Sequence, residues 1–437
     1  MENNFNLPQN NKKRVVIVGA GFAGLKIARK LRKSPYQVVV IDKQNYHQFQ
    51  PLFYQVATSG IEPSSISFPV RKIFQKNTNL HFRQTELLEI LPDKKKIITG
   101  NGELSYDKLV IATGVSTNYF GSANLEKYGL PMKTTAEAIN LRNRILASFE
   151  KAILTENVND HTKLMSVVVV GGGPTGVELS GAIAEMRRYV LPKDYPELDF
   201  SRMKILLYEA SPRLLNGMSE KSGAKALEFL KELGVEVHLN TRIEDYDGEK
   251  ISLSDQTEVY ATNLLWTAGV SGKYIKGLNK EVYTPSNRLI VDSYNQVIGL
   301  DGVYAIGDIS CVLDDDAYER GHPQVAQVAI QQADNLANNF VKKSQKPFKY
   351  KDKGSLATIG RNMAVADLPA MKFSGFIAWI LWLFVHLMAI VGVKNRFFIF
   401  VNWAQSYLWR DQSLRILIAP YNKAKKDKSN QPLVRTS

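Results

Sequence analysis

Glycines at 19, 21 and 24, and again at 171, 173 and 176, stand in two short runs, Gly19-Ala20-Gly21-Phe22-Ala23-Gly24 and Gly171-Gly172-Gly173-Pro174-Thr175-Gly176. Each run directly follows a stretch of apolar β-formers, at 14–18 and 166–170, which reads as a buried strand of a parallel sheet. Glycine there lets the chain turn tightly and brings bare N–H groups to a pyrophosphate, at a helix N-terminus whose partial positive charge favours an anion. Such a site also needs a carboxylate for the adenosine ribose, roughly 20 residues on. Asp42 ends the apolar run 38–42, 18 residues past Gly24. In the second unit Glu209 ends the run 203–208, 33 residues past Gly176, and the excess lies in 187–202, where Pro192, Pro196 and mixed charges mark an insertion between helix and strand. Two dinucleotide sites are therefore expected.

The elements that must position these residues follow a repeated design. A strand over 106–114 exits at Thr113 and Gly114, and a strand over 263–269 exits at Ala268 and Gly269. Small residues at a strand exit let a ligand approach the backbone. A third strand, 302–308, delivers Asp308 beside Gly307 and is expected to rejoin the first unit. The expected fold is α/β, with two nested Rossmann-like dinucleotide-binding domains and a C-terminal membrane-associating helical region. The first domain takes 10–120 and 286–355, the second takes 121–285, and the membrane-associating region takes 356–437.

Charge and composition narrow the partners. The net charge of +14 calls for an anionic partner. Its clearest local excess is at 421–437, where Lys423, Lys425, Lys426, Lys428 and Arg435 face one acid, Asp427, just after the most apolar part of the chain. That placement favours anionic lipid headgroups, and no nucleic-acid module is legible. Residues 374–393 are almost unbroken apolar sequence around Trp379, Trp382 and His386, just long enough to be scored as a span. The stretch 397–418 mixes Asn402, Gln405, Arg410, Asp411 and Arg415 with Trp403, Tyr407 and Trp409, as an interfacial segment would. Spanning and lying flat both remain open on these grounds. The lone Cys311 excludes disulfides, cysteine metal sites and Cys-x-x-Cys pairs within the chain, and six scattered histidines lack metal-ligand spacing. No metal is expected. The polar N-terminus has no signal-peptide pattern, so an intracellular enzyme is expected.

Together the glycine runs, the Ala-Thr-Gly and Thr-Ala-Gly strand exits and Gly307-Asp308 resemble the two-dinucleotide flavoprotein superfamily. The stretches 45–58, 171–178, 326–331 and 374–379 further resemble the type II NADH:quinone oxidoreductases, the non-pumping alternative NADH dehydrogenases, over about residues 12–420. Within the superfamily, the absence of any cysteine before Cys311 argues against disulfide, peroxide, CoA-disulfide and sulfide chemistry. A flavin must then pass electrons directly to its acceptor, which suits a quinone.

The resemblance implies FAD at Gly19, Gly21, Gly24, Asp42, Thr113, Gly114, Gly307, Asp308, Ala326 and Gln327. It implies NADH at Gly171, Gly173, Gly176, Glu178, Glu209, Ala268 and Gly269, with Glu209 repelling a 2′-phosphate and the nearby Arg213 leaving NADPH exclusion open. It places quinone, menaquinone or ubiquinone, at Gln327, Gln331 and Lys394. Gln327 and Gln331 share one helix face, which without the resemblance would read as a solvated amide face. Glu178, in the first turn of the second glycine-motif helix, is stabilised there by the helix dipole. The resemblance adds a role in proton movement or nicotinamide positioning. It also implies a homodimer and monotopic attachment to the cytoplasmic face of the cell membrane, or an equivalent inner membrane. A soluble reductase serving a protein such as ferredoxin, or a non-catalytic flavin sensor, is the alternative, and the apolar C-terminus argues against both.

Overall fold

A computed structural model describes residues 5–75, 77–342, 345–410 and 414–418. The basic cluster at 423–435 and Asp411 lie outside the described residues. From the N-terminus the elements that build the site are strand β1 (Arg14–Val18), helix α1 (Phe22–Leu31), β2 (Gln37–Asp42), α2 (Phe53–Ala57), β3 (Leu80–Gln84), β4 (Lys108–Ile111) and β5 (Leu130–Pro131). Then come β6 (Val167–Val170), α3 (Pro174–Tyr189), β7 (Ile205–Tyr208), β8 (Glu236–His238), β9 (Asn263–Trp266), β10 (Val303–Ala305) and α4 (Ala326–Val341). The chain continues through β11 (Ser355–Gly360), β12 (Met363–Asp367), β13 (Lys372–Ser374), α5 (Phe376–Ala389) and α6 (Val393–Trp409).

Two five-stranded parallel sheets result, ordered β10-β4-β1-β2-β3 and β5-β9-β6-β7-β8. Their central strands, β1 and β6, carry apolar side chains on both faces. Val15, Val16 and Ile17, like Val167, Val168 and Val169, are wholly buried, as a strand covered on both sides by other elements requires. β10 pairs with β4 in register Val303↔Leu109, so the chain returns to the first sheet after completing the second. The stretch 187–202 is an insertion, as its prolines suggested: after α3 it forms a helical turn at Leu191–Asp194 and a 3-10 turn at Phe200–Arg202 before β7. The strand expected over 302–308 is shorter, ending at Ala305, and Gly307–Ile309 is a 3-10 turn.

A third, antiparallel sheet, β11-β12-β13, lies on α3. The approach is close because Gly181 has no side chain; a Cβ there would strike the Ile359 carbonyl. This sheet leads into α5 and α6. The apolar stretch 374–393 is broken at Ile390–Gly392, where Gly392 takes φ +88°, so α5 has 14 residues. At 1.5 Å per residue that is about 21 Å, short of the ~30 Å hydrocarbon core. Among the described residues no helix is long and apolar enough to cross a membrane. One side of the helix pair is packed, with Ala378, Trp382, Ile390 and Ile399 buried, while Ile377, Phe384, Met388, Val393 and Phe397 are exposed by half or more of their surface.

Candidate active site

Both glycine loops are tied down in the same way. The Ala20 N–H donates to the Asp42 carboxylate at 2.6 Å, and the Gly172 N–H donates to Glu209 at 2.5 Å. Each acid also accepts a second backbone N–H, from Gln44 at 2.7 Å and from Ser211 at 2.8 Å. Asp42 is held above the usual carboxylate range by burial, against the pull of these two donors. The three glycines of each motif have distinct tasks. Gly19 and Gly171 take φ +106° and +105°, in the region that favours glycine. A Cβ on Gly24 would strike the Gly19 carbonyl, and one on Gly176 the Gly171 carbonyl, so these positions let helix pack on strand. A Cβ on Gly21 or Gly173 would meet nothing within 4 Å. These middle glycines are the helix N-caps, with no side-chain cap over the first N–H groups. An open, uncapped helix start is the cradle that a pyrophosphate needs.

The first cradle extends to the β10 exit. Gly307, at φ +75°, sits where a Cβ would lie 3.3 Å from the Ala23 methyl and 3.4 Å from that of Ala329, and its N–H donates to Gln332 Oε1 at 2.7 Å. Gln332 is fully buried and fixes this turn; its amide was not picked out from the sequence. The turn presents Asp308, whose carboxyl is pushed up by burial and makes no hydrogen bond to protein among the described residues. Gly114, at φ +67° with open space about its Cα, and Ala326, the first residue of α4, complete the approach. These features fit a flavin dinucleotide. In the second cradle the Arg213 guanidinium donates to the Met218 and Asn216 carbonyls at 3.0 Å each. It is thus turned toward its own loop. Glu209→Ala should therefore relax discrimination against NADPH by roughly 1.5–3 kcal/mol, the size of a charge-assisted contact. Steady-state kcat/KM ratios for the two nucleotides check this, and an unchanged ratio would remove Glu209 from specificity.

A cavity of about 340 Å³ lies between α2, α3, the β11–β12 hairpin and the two C-terminal helices. Glu178 is at its inner end, 8 % exposed. It accepts from the Trp382 indole N–H at 3.2 Å and the Thr358 N–H at 3.4 Å. Burial raises its pKa to about 8, against the opposing effect of both donors. Tyr54 faces the same space, its phenol held well above its ordinary range by burial and by the nearby Glu178. Gln55 donates to the Tyr54 oxygen and accepts from the Trp403 indole, each at 2.8 Å, which ties α2 to α6. Trp382 stacks on His386 with centroids 4.0 Å apart, and burial lowers the His386 pKa to about 4, so this ring is neutral near pH 7.

Of the residues expected to meet quinone, Gln327, Gln331 and Lys394, none lines this cavity, whereas Glu178, expected at the NADH site, does. Gln327 donates to the Gly354 carbonyl at 3.2 Å and accepts from the Lys353 N–H at 3.0 Å; Gln331 pairs with both backbone groups of Lys351, at 2.9 and 3.0 Å. Their shared face clamps the 351–354 strap and does not line this cavity. Lys394 is likewise outside it, with Nζ 5.5 Å from the Phe398 ring centroid. Tyr54, Gln55, Trp382 and Trp403 line it beside Glu178. Their signal was indirect: Trp382 within an apolar helix, Trp403 within a mixed aromatic and polar one, and polar Gln55 within an apolar turn. Cys311 is buried, with its thiol pushed up by burial and directed to the Arg320 carbonyl at 3.7 Å. Among the described residues no group of three or more His, Cys, Asp or Glu side chains could hold a metal.

Residues 13–333 match the pyridine nucleotide-disulphide oxidoreductase family, and residues 353–411 match the NDH2 C-terminal domain. A type II NADH:quinone oxidoreductase of Mycobacterium tuberculosis is 33 % identical over 414 residues, covering 90 % of this chain and 88 % of that protein. A second from the same organism is 34 % identical over 418 residues, covering 91 % and 87 %. The solved structure of NDH2 from Plasmodium falciparum in complex with NADH has the same fold, with a TM-score of 0.85 at 24 % identity, over 94 % of this chain and 100 % of that one.

Proposed function

Because the chain belongs to the pyridine nucleotide-disulphide oxidoreductase family, and within it to the type II NADH:quinone oxidoreductases, we propose how its own residues divide the reaction. The enzyme transfers electrons from NADH through FAD to a quinone. Bound FAD supplies the two-electron carrier between nicotinamide and quinone. Domain 10–120 with 286–355 holds it through Gly19, Gly21, Gly24, Asp42, Thr113, Gly114, Gly307, Asp308 and Ala326. Domain 121–285 holds NADH through Gly171, Gly173, Gly176, Glu209, Ala268 and Gly269. The quinone head, of menaquinone or ubiquinone, enters the cavity beside Tyr54, Glu178 and Trp382, where the protonated Glu178 donates to a quinone oxygen. The observation that carries this reading is the position of Glu178: on the helix that starts at the NADH cradle, and bonded to an indole of the C-terminal apolar pair. Anaerobic stopped-flow traces of the holoenzyme test it. NADH should bleach the flavin in one phase and a short-chain quinone should restore it in another; failure of the quinone phase beside rapid reoxidation by a ferredoxin would favour the soluble-reductase reading.

Region 356–437 attaches the enzyme monotopically, on the cytoplasmic face where NADH is supplied. The exposed side of α5 and α6 supports this reading, because side chains such as Ile377, Phe384 and Phe397 would otherwise leave a large apolar patch in water. A homodimer with its twofold axis normal to the bilayer would keep both patches on one membrane. Since apolar burial is not screened by salt while headgroup attraction is, liposome binding should survive ~1 M salt. Replacing Ile377 and Phe384 together by Glu should release the protein, as read by flotation. Release by salt alone would contradict insertion.

A further inference from the structure

Reduction of a quinone by NADH draws one proton from water in each turnover. The hydride brings two electrons and one proton, while the quinol holds two protons. The second must reach a cavity whose inner acid, Glu178, is buried. On α3 the residues Glu178, Ala182, Glu185 and Arg188 follow one another by four, three and three, so they share a helix face, and all four line the cavity. The face runs from buried Glu178, which lies in the second turn and not the first as expected, to the exposed last turn at Arg188, roughly 15 Å along the axis. Glu185 stands between, about 10 Å from Glu178 along the helix. One of its oxygens accepts the Arg361 N–H at 2.7 Å, and the other accepts no hydrogen bond from protein among the described residues. Ala182 puts only a methyl between the two acids on this face, and all three line the same cavity of about 340 Å³.

We propose that Glu185 is the relay that recharges Glu178 from solvent. The proposal rests on quinone reduction at Glu178 as read above. In the step, the Glu178 O–H breaks as an O–H forms on the quinone oxygen, with the electron pair supplied by NADH through FAD. The Glu178 carboxylate then takes a proton through cavity water from Glu185, which takes one from solvent. The groups facing Glu185 suit this. Arg361 comes from the β11–β12 turn, Arg410 from the end of α6, Arg188 and Tyr189 from its own helix, Tyr407 from α6 and Tyr54 from α2. Arginines stay charged, and the Tyr54 phenol is held protonated by burial. Glu178 and Glu185 are the only carboxyls among the described residues of the lining, and no histidine joins them. Burial raises the Glu185 pKa, against the opposing pull of the Arg361 N–H and of the Arg361 and Arg410 charges.

The test is flavin reoxidation in the NADH-reduced holoenzyme by a water-soluble short-chain quinone, for the unmodified protein, Glu185→Gln, Glu185→Asp and Glu178→Gln. Glu185→Gln should slow reoxidation about tenfold near pH 7, less than the roughly 100-fold or more that a direct proton donor contributes, because water can still reach Glu178 slowly. The deficit should deepen as pH rises, the solvent deuterium effect should grow, and Glu185→Asp should recover most of the rate. Flavin reduction by NADH should not change. An unaltered rate in Glu185→Gln, or a loss indifferent to pH and deuterium and not recovered by Asp, overturns the relay. If Glu178→Gln alone is slow, quinone reduction at Glu178 stands and only the relay falls; if neither variant is slow, the cavity is not where quinone is reduced.

Discussion

Glu178→Gln should slow reoxidation of the flavin by quinone on the order of 100-fold, with far less effect on its reduction by NADH. Gln keeps the size of the side chain and an oxygen for the Trp382 and Thr358 donors, so packing survives and the transferable proton does not. The sign of the pH effect follows from the raised pKa. Below about 8 the buried carboxyl is protonated and can donate; above it the acid form is depleted. The reoxidation rate of the unmodified enzyme should therefore fall as pH rises through that value. In the variant this limb should be missing. Equal slowing of both half-reactions would assign Glu178 to nicotinamide positioning instead.

Gly24→Val should yield protein largely without FAD. Its Cβ would strike the Gly19 carbonyl, and the obstacle is backbone that cannot rotate away. Forcing α1 off β1 costs about 1–3 kcal/mol or more, which lowers flavin affinity by at least roughly fivefold and opens the cradle. The matching change in the second unit, Gly176→Val, would strike the Gly171 carbonyl, so it should spare flavin content and abolish its reduction by NADH. The ratio of flavin to protein absorbance, measured beside NADH bleaching, distinguishes the two. Full flavin occupancy in Gly24→Val would show that this glycine is not needed for helix–strand contact.

Both cradles were legible in sequence because their requirements are local. A positive φ, a helix start without a cap and an acid at a strand end each impose a residue type at a fixed offset, as Gly19, Gly21 and Asp42 illustrate. The cavity at Glu178 was not legible in that way. Gln327 and Gln331 do share a helix face, but periodicity does not say what that face meets, and it meets the backbone of 351–354. Trp382 lies in a stretch whose apolarity pointed to lipid, yet its indole N–H turns inward to a carboxylate 204 positions away in the chain. Only the packing of β11, β12 and β13 on α3 brings these two together. The break at Ile390–Gly392 was also obscured, since average apolarity over 374–393 hides one glycine at φ +88°.

The position of a bound short-chain quinone in the oxidised holoenzyme, seen by crystallography, is the most direct test of the acceptor site. The predicted result is a quinone head between Tyr54, Glu178 and Trp382, with one carbonyl oxygen within hydrogen-bond distance of the Glu178 carboxyl. A head bound against Gln327, Gln331 and Lys394, with the Glu178 cavity free of quinone, would contradict it.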